Sequence, residues 1–232
     1  MAGMGSRFAD VGYKDPKPFI SVKGQIMIER VLNNLNYRDA RYIIIARKEH
    51  MESREADIKK LREKYNVIIE TVDRLTDGAA CTVLRAHKHI NNDAPLLIAN
   101  SDQIIDVSIK SFIEDCANRK LDGSIMTFPN NHTKWSYAKI DKTGIVTEVK
   151  EKVVISNYAT VGIYLFSKGK DFVNGALDMI SGGDKVNHEY YVCPVYNHLI
   201  KDKKKIGIFG IKEDQMHGTG TPEDLKIYEE LI

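Results

Sequence analysis

Met1-Ala2-Gly3-Met4-Gly5-Ser6-Arg7-Phe8, followed at a short interval by Lys17-Pro18-Phe19, is the stretch on which the reading of this chain turns. Two glycines one residue apart let the backbone turn tightly and bring its N–H groups against a bulky anion, as a phosphate-cradling loop must. Arg7 adds a rigid fork of donors and Lys17 a mobile point charge, so the two suit different oxygens of one polyphosphate. An ordinary turn also explains a lone Gly-x-Gly, because glycine pairs are common. A dinucleotide fingerprint fits poorly: its third glycine would fall at Phe8, and no strand-end acid stands where a ribose hydroxyl would need one.

Outward from the loop, apolar residues at helical spacing predict a helix over Ile26 to Leu35, and Tyr42-Ile43-Ile44-Ile45-Ala46 reads as a strand buried on both faces. The charged run from Glu49 to Tyr65 reads as a solvated helical face, with Glu55 and Lys59 in the favourable order for a pair. A strand is expected at Asn66 to Val72. After it, Thr76-Asp77-Gly78-Ala79-Ala80-Cys81-Thr82 opens a helix running to about Ile90, capped by Thr76 or Asp77, whose small residues would let a flat ring approach the backbone. Pro95-Leu96-Leu97-Ile98-Ala99-Asn100-Ser101-Asp102 is an apolar strand ending in a carboxylate, where open α/β sheets gather ligands; a turn or helix cap is the plain alternative.

Beyond a helix near Val107 to Arg119 and a strand at Asp122 to Phe128, alternation gives way to hairpins. Trp135 to Asp141 and Ile145 to Lys150 flank the turn-forming Asp141-Lys142-Thr143-Gly144. A helix over Lys168 to Ile180 is closed by Ser181-Gly182-Gly183, and Glu189 stands at the start of a helix to about Ile200, where an acid complements the dipole. His188 reads as a surface histidine. A strand follows at Lys205 to Ile211, and Thr221-Pro222-Glu223-Asp224 opens the last helix with a cap, proline at its first position and two acids.

At 232 residues one compact α/β domain is expected, spanning 1–232. With 34 basic and 32 acidic residues, the near-zero net charge offers no footprint for nucleic acid or an anionic membrane. Cys81, Cys116 and Cys193 lack Cys-x-x-Cys spacing and read as reduced thiols. No apolar run reaches the length needed to span a bilayer and no leader is visible, so the cytoplasm is the expected location. A phosphate loop of this kind should leave a buried parallel strand, yet Met1 already lies in it, so we expect the first strand to be encoded upstream.

Gly3-Met4-Gly5-Ser6-Arg7, Lys17-Pro18, Val22-Lys23-Gly24 and Met27-Ile28-Glu29-Arg30-Val31, in that order and spacing, resemble the signature of the sugar-phosphate nucleotidylyltransferases. The resemblance implies a Rossmann-like, GT-A-like α/β fold: a mixed sheet flanked by helices, with a small antiparallel acceptor-binding insertion over about 122–200. It implies that Ala2, Gly3, Met4, Gly5 and Ser6 hold the triphosphate, with Arg7 and Lys17 acting on the reacting phosphates. Gly78 and Ala79 would border the nucleobase, Ser101 would lie on the nucleotide, and Asp102 would hold Mg²⁺. Glu151-Lys152, Asn157 and the following Gly-hydrophobic-Tyr strand are similar to the family's acceptor site, with Lys152 on the acceptor phosphate and Glu151, Asn157 and Glu189 on its polar groups. The chain departs from the pattern at Gly218, where many members carry a second metal-binding aspartate. Asp214 or His217 could replace it, or one carboxylate with phosphate oxygens and waters could suffice.

The implied reaction joins a nucleoside triphosphate to a small phosphorylated acceptor and releases pyrophosphate, with a homodimer compatible with the family. A phosphate monoester is already a dianion near neutral pH, its second pKa being about 6, so no general base is needed. The length, Gly12-Tyr13-Lys14-Asp15-Pro16-Lys17-Pro18 and the 216–225 segment resemble the short enzymes of capsule and surface-polysaccharide clusters, several of which use CTP, including enzymes that activate phosphorylated glutamine. A metal-dependent glycosyltransferase of related fold and a nucleotide-binding module without chemistry remain as alternatives.

Overall fold

The computed structural model describes every residue from 1 to 232 except Met4. The chain forms an α/β structure that divides into two compact units, one of residues 1–75, 101–109 and 217–232, the other of residues 76–100 and 110–216.

In the first unit the strands Tyr42–Arg47 and Val67–Val72 pair in parallel, Tyr42 opposite Val67. The helices Lys48–Ser53 and Glu55–Lys64 connect them. The second helix buries Ile58 and Leu61 and leaves its charges in solvent, as its pattern requires. Its pairing differs from expectation: Lys59 meets Glu63 and Arg54 meets Asp57, because successive turns present these groups to one another. Helix Met27–Asn34 buries Met27, Ile28, Val31 and Leu32. At its end the Asn34 amide donates to the Ile105 carbonyl at 2.7 Å and its side-chain oxygen accepts from the Ile105 N–H at 2.9 Å. That double bond imitates a strand partner for Gln103–Ile105, which also pairs with Met216–Gly218. The last helix, Pro222–Leu231, begins as expected, with Thr221 Oγ1 accepting from the Asp224 N–H at 3.1 Å.

The second unit is built on a six-stranded mixed sheet. Its longest strand, Tyr158–Phe166, is buried from Ala159 onward. It runs antiparallel to Gly123–Pro129, which pairs in parallel with Ile206–Gly210. Leu96–Ala99 pairs antiparallel with its Ile163–Phe166 end, and Ser136–Ile140 joins at Ala159. The exchange of partners coincides with a register irregularity between Thr160 and Tyr164, where Gly162 has φ 90°. A glycine reaches that conformation without a Cβ clash, and the strand bends there. The hairpin Ser136–Ile140 and Val146–Glu151 matches the sequence reading, with Asp141 Oδ1 accepting from the N–H groups of Thr143 and Ile145.

Two helical expectations are corrected. The segment 79–90 is two short helices, Ala79–Leu84 and His87–Ile90, broken where Arg85 and Ala86 bond back only three residues, to Thr82 and Val83. Neither Thr76 nor Asp77 caps the first of these; Gly78 is the N-cap residue, Thr76 donates to the Gly78 carbonyl and Asp77 pairs with Lys185. The helix expected from Glu189 starts only at Val195, because Glu189 is bonded in both directions to Val186 in an isolated bridge. Among the described residues no helix is long and apolar enough to cross a membrane.

Against this sheet, Phe172 of the helix Gly169–Ser181 meets Phe166 edge-on, and Tyr196 of Val195–Lys201 stacks on Phe166 at 4.5 Å. The buried Tyr196 hydroxyl donates to the carbonyls of Leu165 and Ser124 at 2.9 and 3.2 Å. Tyr196→Phe keeps the stack and strips that donor from two buried acceptors, so urea unfolding should place it about 1–3 kcal/mol below the parent chain.

Candidate active site

In the first unit the site begins at the loop. Gly5 adopts φ 65° and ψ 22° and serves as N-cap of the single turn Ser6–Ala9. A Cβ there would lie 3.3 Å from the Lys17 Cβ, so the glycine supplies both the left-handed turn and the space Lys17 occupies. Gly3 has open space around it. Met4, the remaining residue of the glycine motif, lies outside the described residues. Arg7 is exposed on the helical turn, and Phe8 beside it is buried, anchoring the turn against Tyr13 in an edge-on contact at 5.2 Å.

Lys17 opens the 3₁₀ turn Lys17–Phe19, with Pro18 and Phe19 buried beneath it. Its ammonium donates to the Asp102 carboxylate, forming an ion pair whose two side chains are roughly a fifth exposed. The same carboxylate lies 3.2 Å from where a Cβ on Gly220 would stand, and the Thr219 N–H donates to the Asp102 carbonyl at 2.8 Å. Gly5, Lys17, Asp102 and Gly220 therefore converge, joining three separate stretches of sequence. Ser101 adjoins them, half-buried, in the turn that leads to Asp102, and Ala2 is likewise half-buried. A cavity of about 340 Å³, lined by residues that include Gly5, Tyr13, Lys14, Lys17, His50 and Ser53, opens beside the loop.

A magnesium ion takes one or two protein carboxylates and otherwise binds substrate oxygens, so a single carboxylate such as Asp102, here paired with Lys17, is compatible with one. No group of three or more histidine, cysteine or acidic side chains suited to a metal exists among the described residues. Asp102 offers one partly exposed carboxylate. His217 does not extend the set, since its Nε2 is held 2.7 Å from Asp106 Oδ2. Asp214 lies in the 3₁₀ turn Glu213–Gln215 of the other unit. The carboxylate that neighbours position 218 is instead Asp224, 3.8 Å from where a Cβ on Gly218 would stand. The sequence reading took Asp224 only as an acid of the last helix's first turn, because nothing in its spacing reveals that the helix start folds back beside Gly218.

In the second unit Gly78 has φ 116°, and a Cβ on it would lie 2.5 Å from the backbone N and O of Tyr190. The Tyr190 N–H donates to the Asp77 carbonyl at 2.7 Å and the Ala80 N–H to the Tyr190 carbonyl at 2.9 Å. The glycine is thus required by a backbone neighbour, a reason different from the approach of a flat ring that its sequence context suggested. Ala79 follows as the first residue of the short helix.

Glu151 and Lys152 end the hairpin. Glu151 is only 7% exposed, and its carboxylate accepts from the Ser136 hydroxyl. Burial pushes its carboxyl above the ordinary glutamate range; Ser136 and the nearby Lys152 ammonium oppose that shift. Lys152 takes φ 56°, its N–H donates to the Trp135 carbonyl at 3.1 Å and its ammonium to the Tyr191 hydroxyl at 2.8 Å. Glu189 is exposed, and its charge acts on both Glu151 and Lys152. Asn157 is exposed at the foot of the long strand, its carbonyl accepting from Asn130 at 3.2 Å.

The profile described as nucleotidyl transferase matches residues 1–189, and the chain belongs to that family. It is 27% identical over 168 residues to the bifunctional protein GlmU of Methanococcus aeolicus, covering 71% of this chain and 38% of that protein. It is 26% identical over 177 residues to the mannose-1-phosphate guanylyltransferase catalytic subunit beta of Drosophila melanogaster, covering 72% and 47%. The chain thus spans 38% to 47% of the length of these two relatives. Its fold matches the nucleoside-diphosphate-sugar pyrophosphorylase of Vibrio cholerae RC9 with a TM-score of 0.85 at 22% identity, covering 99% of this chain and 98% of that one.

The raised carboxyl of Glu151 makes a signed prediction. A folded-state pKa above the unfolded value contributes stability that is present below the unfolded pKa and lost as pH rises through the folded one. Glu151→Gln can still accept from Ser136 but carries no charge. Its urea midpoint should exceed that of the parent chain at pH 7 to 8, and the advantage should vanish below about pH 4, under the ordinary glutamate pKa.

Proposed function

We propose that this protein is a nucleotidylyltransferase: it transfers a nucleotidyl group from a nucleoside triphosphate, with CTP favoured, to a small phosphorylated acceptor and releases pyrophosphate. The observation that carries the reading is the convergence of Lys17, the left-handed Gly5 turn and Asp102 within a chain of the nucleotidyl transferase family. The acceptor class is a sugar phosphate or a phosphoglutamine-like compound, and the context is synthesis of capsule or surface polysaccharide. The similarity to a mannose-1-phosphate guanylyltransferase supports the sugar-phosphate class, and since that relative transfers a guanylyl group the base is to be fixed by assay.

In this mechanism an oxygen of the acceptor phosphate attacks the α-phosphorus, a new P–O–P bridge forms, and the bond to the β-phosphate oxygen breaks with pyrophosphate leaving. The attacking group is a dianion near neutral pH, so no side chain has to remove a proton. The work left to the protein is orientation and stabilisation of negative charge. Backbone N–H groups of Ala2 to Ser6 receive the triphosphate, and Arg7 and Lys17 offset the charge that grows on its oxygens as the bond to pyrophosphate breaks. Ser101, Gly78 and Ala79 contact the nucleoside, while Lys152 meets the acceptor phosphate and Glu151, Asn157 and Glu189 its polar groups. When Mg²⁺ is bound, with Asp102 as its protein carboxylate, it supplies further neutralisation of phosphate oxygens.

The test is pyrophosphate release with Mg²⁺, scanning CTP, UTP, dTTP, ATP and GTP against N-acetylglucosamine 1-phosphate, mannose 1-phosphate, glucose 1-phosphate, phosphoglutamine and phosphocholine. Acceptor-dependent release with one base supports the reading. Transfer or hydrolysis of a nucleotide sugar without pyrophosphate would replace it with a glycosyltransferase, and triphosphate binding without turnover with a binding module. In the active enzyme, Lys17→Ala should lower turnover by about 10²- to 10³-fold, the scale of one preorganised charge donor, with circular dichroism unchanged. Asp102→Asn, nearly isosteric, should move the Mg²⁺ titration to higher concentration while changing the melting temperature little; an unmoved titration would remove Asp102 from the metal site.

A further inference from the structure

Lys152 is held at both its backbone and its side chain. Its backbone sits in the left-handed region, uncommon for a residue with a Cβ. Its ammonium donates to the Tyr191 hydroxyl at 2.8 Å and lies 4.8 Å from the centroid of the same ring, and Tyr191 is its one hydrogen-bond partner among the described residues. A lysine side chain has many rotamers, and a free surface ammonium would lose that freedom on meeting a ligand. Here one ring restrains it beforehand. Of three ammonium donors, one is used and two remain for an anion.

Tyr191 is itself fixed by its chain neighbours. Tyr190 exchanges backbone hydrogen bonds with Asp77 and Ala80 around Gly78, and the Lys185 ammonium reaches the Asp77 carboxylate at 2.9 Å. Glu189 is bridged to Val186. The hydroxyl that meets Lys152 therefore projects from a segment tied at two points. Glu151 and Glu189 add a negative field that favours the charged ammonium, and the Tyr191 hydroxyl is the largest influence raising the pKa of Lys152 above its ordinary value.

We propose that Tyr191 is a positioning residue for the acceptor phosphate: its hydroxyl and ring hold the Lys152 ammonium in one pose with two N–H donors free for the anion. This rests on the acceptor role given to Lys152 above. Nothing in the sequence around Tyr191 marks it, because Lys152 and Tyr191 are separated by 39 positions and neither lies in a motif with the other.

Tyr191→Phe removes the hydroxyl and keeps the ring. With the acceptor that supports pyrophosphate release, the KM for that acceptor should rise about tenfold, the scale of a hydrogen bond to a charged group, with the KM for the triphosphate and the melting temperature unchanged. In a Lys152→Met background the same substitution should add less than twofold, since the group it positions is gone. Equal rises in both KM values, or full additivity of the two substitutions, would overturn the proposal.

A second measurement does not depend on turnover. In ¹⁵N-lysine spectra of the full chain, the Lys152 side-chain resonance, assigned by its loss in Lys152→Met, should titrate at lower pH in Tyr191→Phe. Inorganic phosphate should perturb that resonance less in the variant than in the parent chain. An unchanged titration and phosphate response would refute the positioning role. Absence of pyrophosphate release from every substrate pair would instead refute the nucleotidylyltransferase reading, with the spectra still deciding whether Tyr191 holds Lys152.

Discussion

The ion pair of Lys17 with Asp102 is the interaction around which the candidate site of the first unit is arranged. Its partners lie 85 positions apart, so the chain must leave, build other structure and return for the two to meet. Three local features make the meeting possible. Gly5 turns left-handed and leaves room for Lys17, Pro18 and Phe19 are buried beneath the lysine, and Gly220 lacks the Cβ that would crowd the aspartate. The bond from the Thr219 N–H to the Asp102 carbonyl sets the backbone of the two returning segments in register. A positive group held against a carboxylate, beside a turn rich in N–H donors, is a site suited to spreading phosphate charge.

The second unit depends on close backbone approach. Gly78 exists because the Tyr190 backbone occupies the space of its absent Cβ, and the two hydrogen bonds around it join the turn at 76–80 to the segment at 188–191. Gly162 performs a comparable task in the sheet, bending the strand Tyr158–Phe166 where it passes from one partner to another. The hairpin ending at Lys152 and the segment carrying Tyr191 are brought together on this frame. A residue held in a sparsely populated backbone conformation persists only where its surroundings over-determine it, and Lys152 has Trp135 on its backbone and Tyr191 on its side chain.

Much of the fold was legible because its signals are local. The apolar run at 42–46, the amphipathic spacing at 26–35, the Asp-Lys-Thr-Gly turn and the Thr-Pro-Glu-Asp helix start all act within a few residues, and each element stands at or within a residue of where its pattern placed it. The readings that failed met competing hydrogen bonds, one from a distance and two from nearby turns. Asp77 was drawn from helix capping to Lys185, Glu189 from a helix start to a bridge with Val186, and the helix after Gly78 was broken by tight bonding at Arg85 and Ala86. In each case a tertiary or turn partner offered the group a hydrogen bond that the helix pattern did not foresee.

The sequence by itself determined the type of fold and the family, since motif order and residue type are properties of the chain alone. Only the tertiary structure decided which charged and polar groups are paired and how. It put Lys17 on Asp102, buried Glu151 against Ser136, turned His217 toward Asp106, placed Asp224 beside Gly218 and set Tyr191 under the Lys152 ammonium. Those outcomes follow from distances in space that sequence separation does not give. Hydrogen bonds and ion pairs act over a few ångströms, and nothing in a one-dimensional pattern reports such proximity.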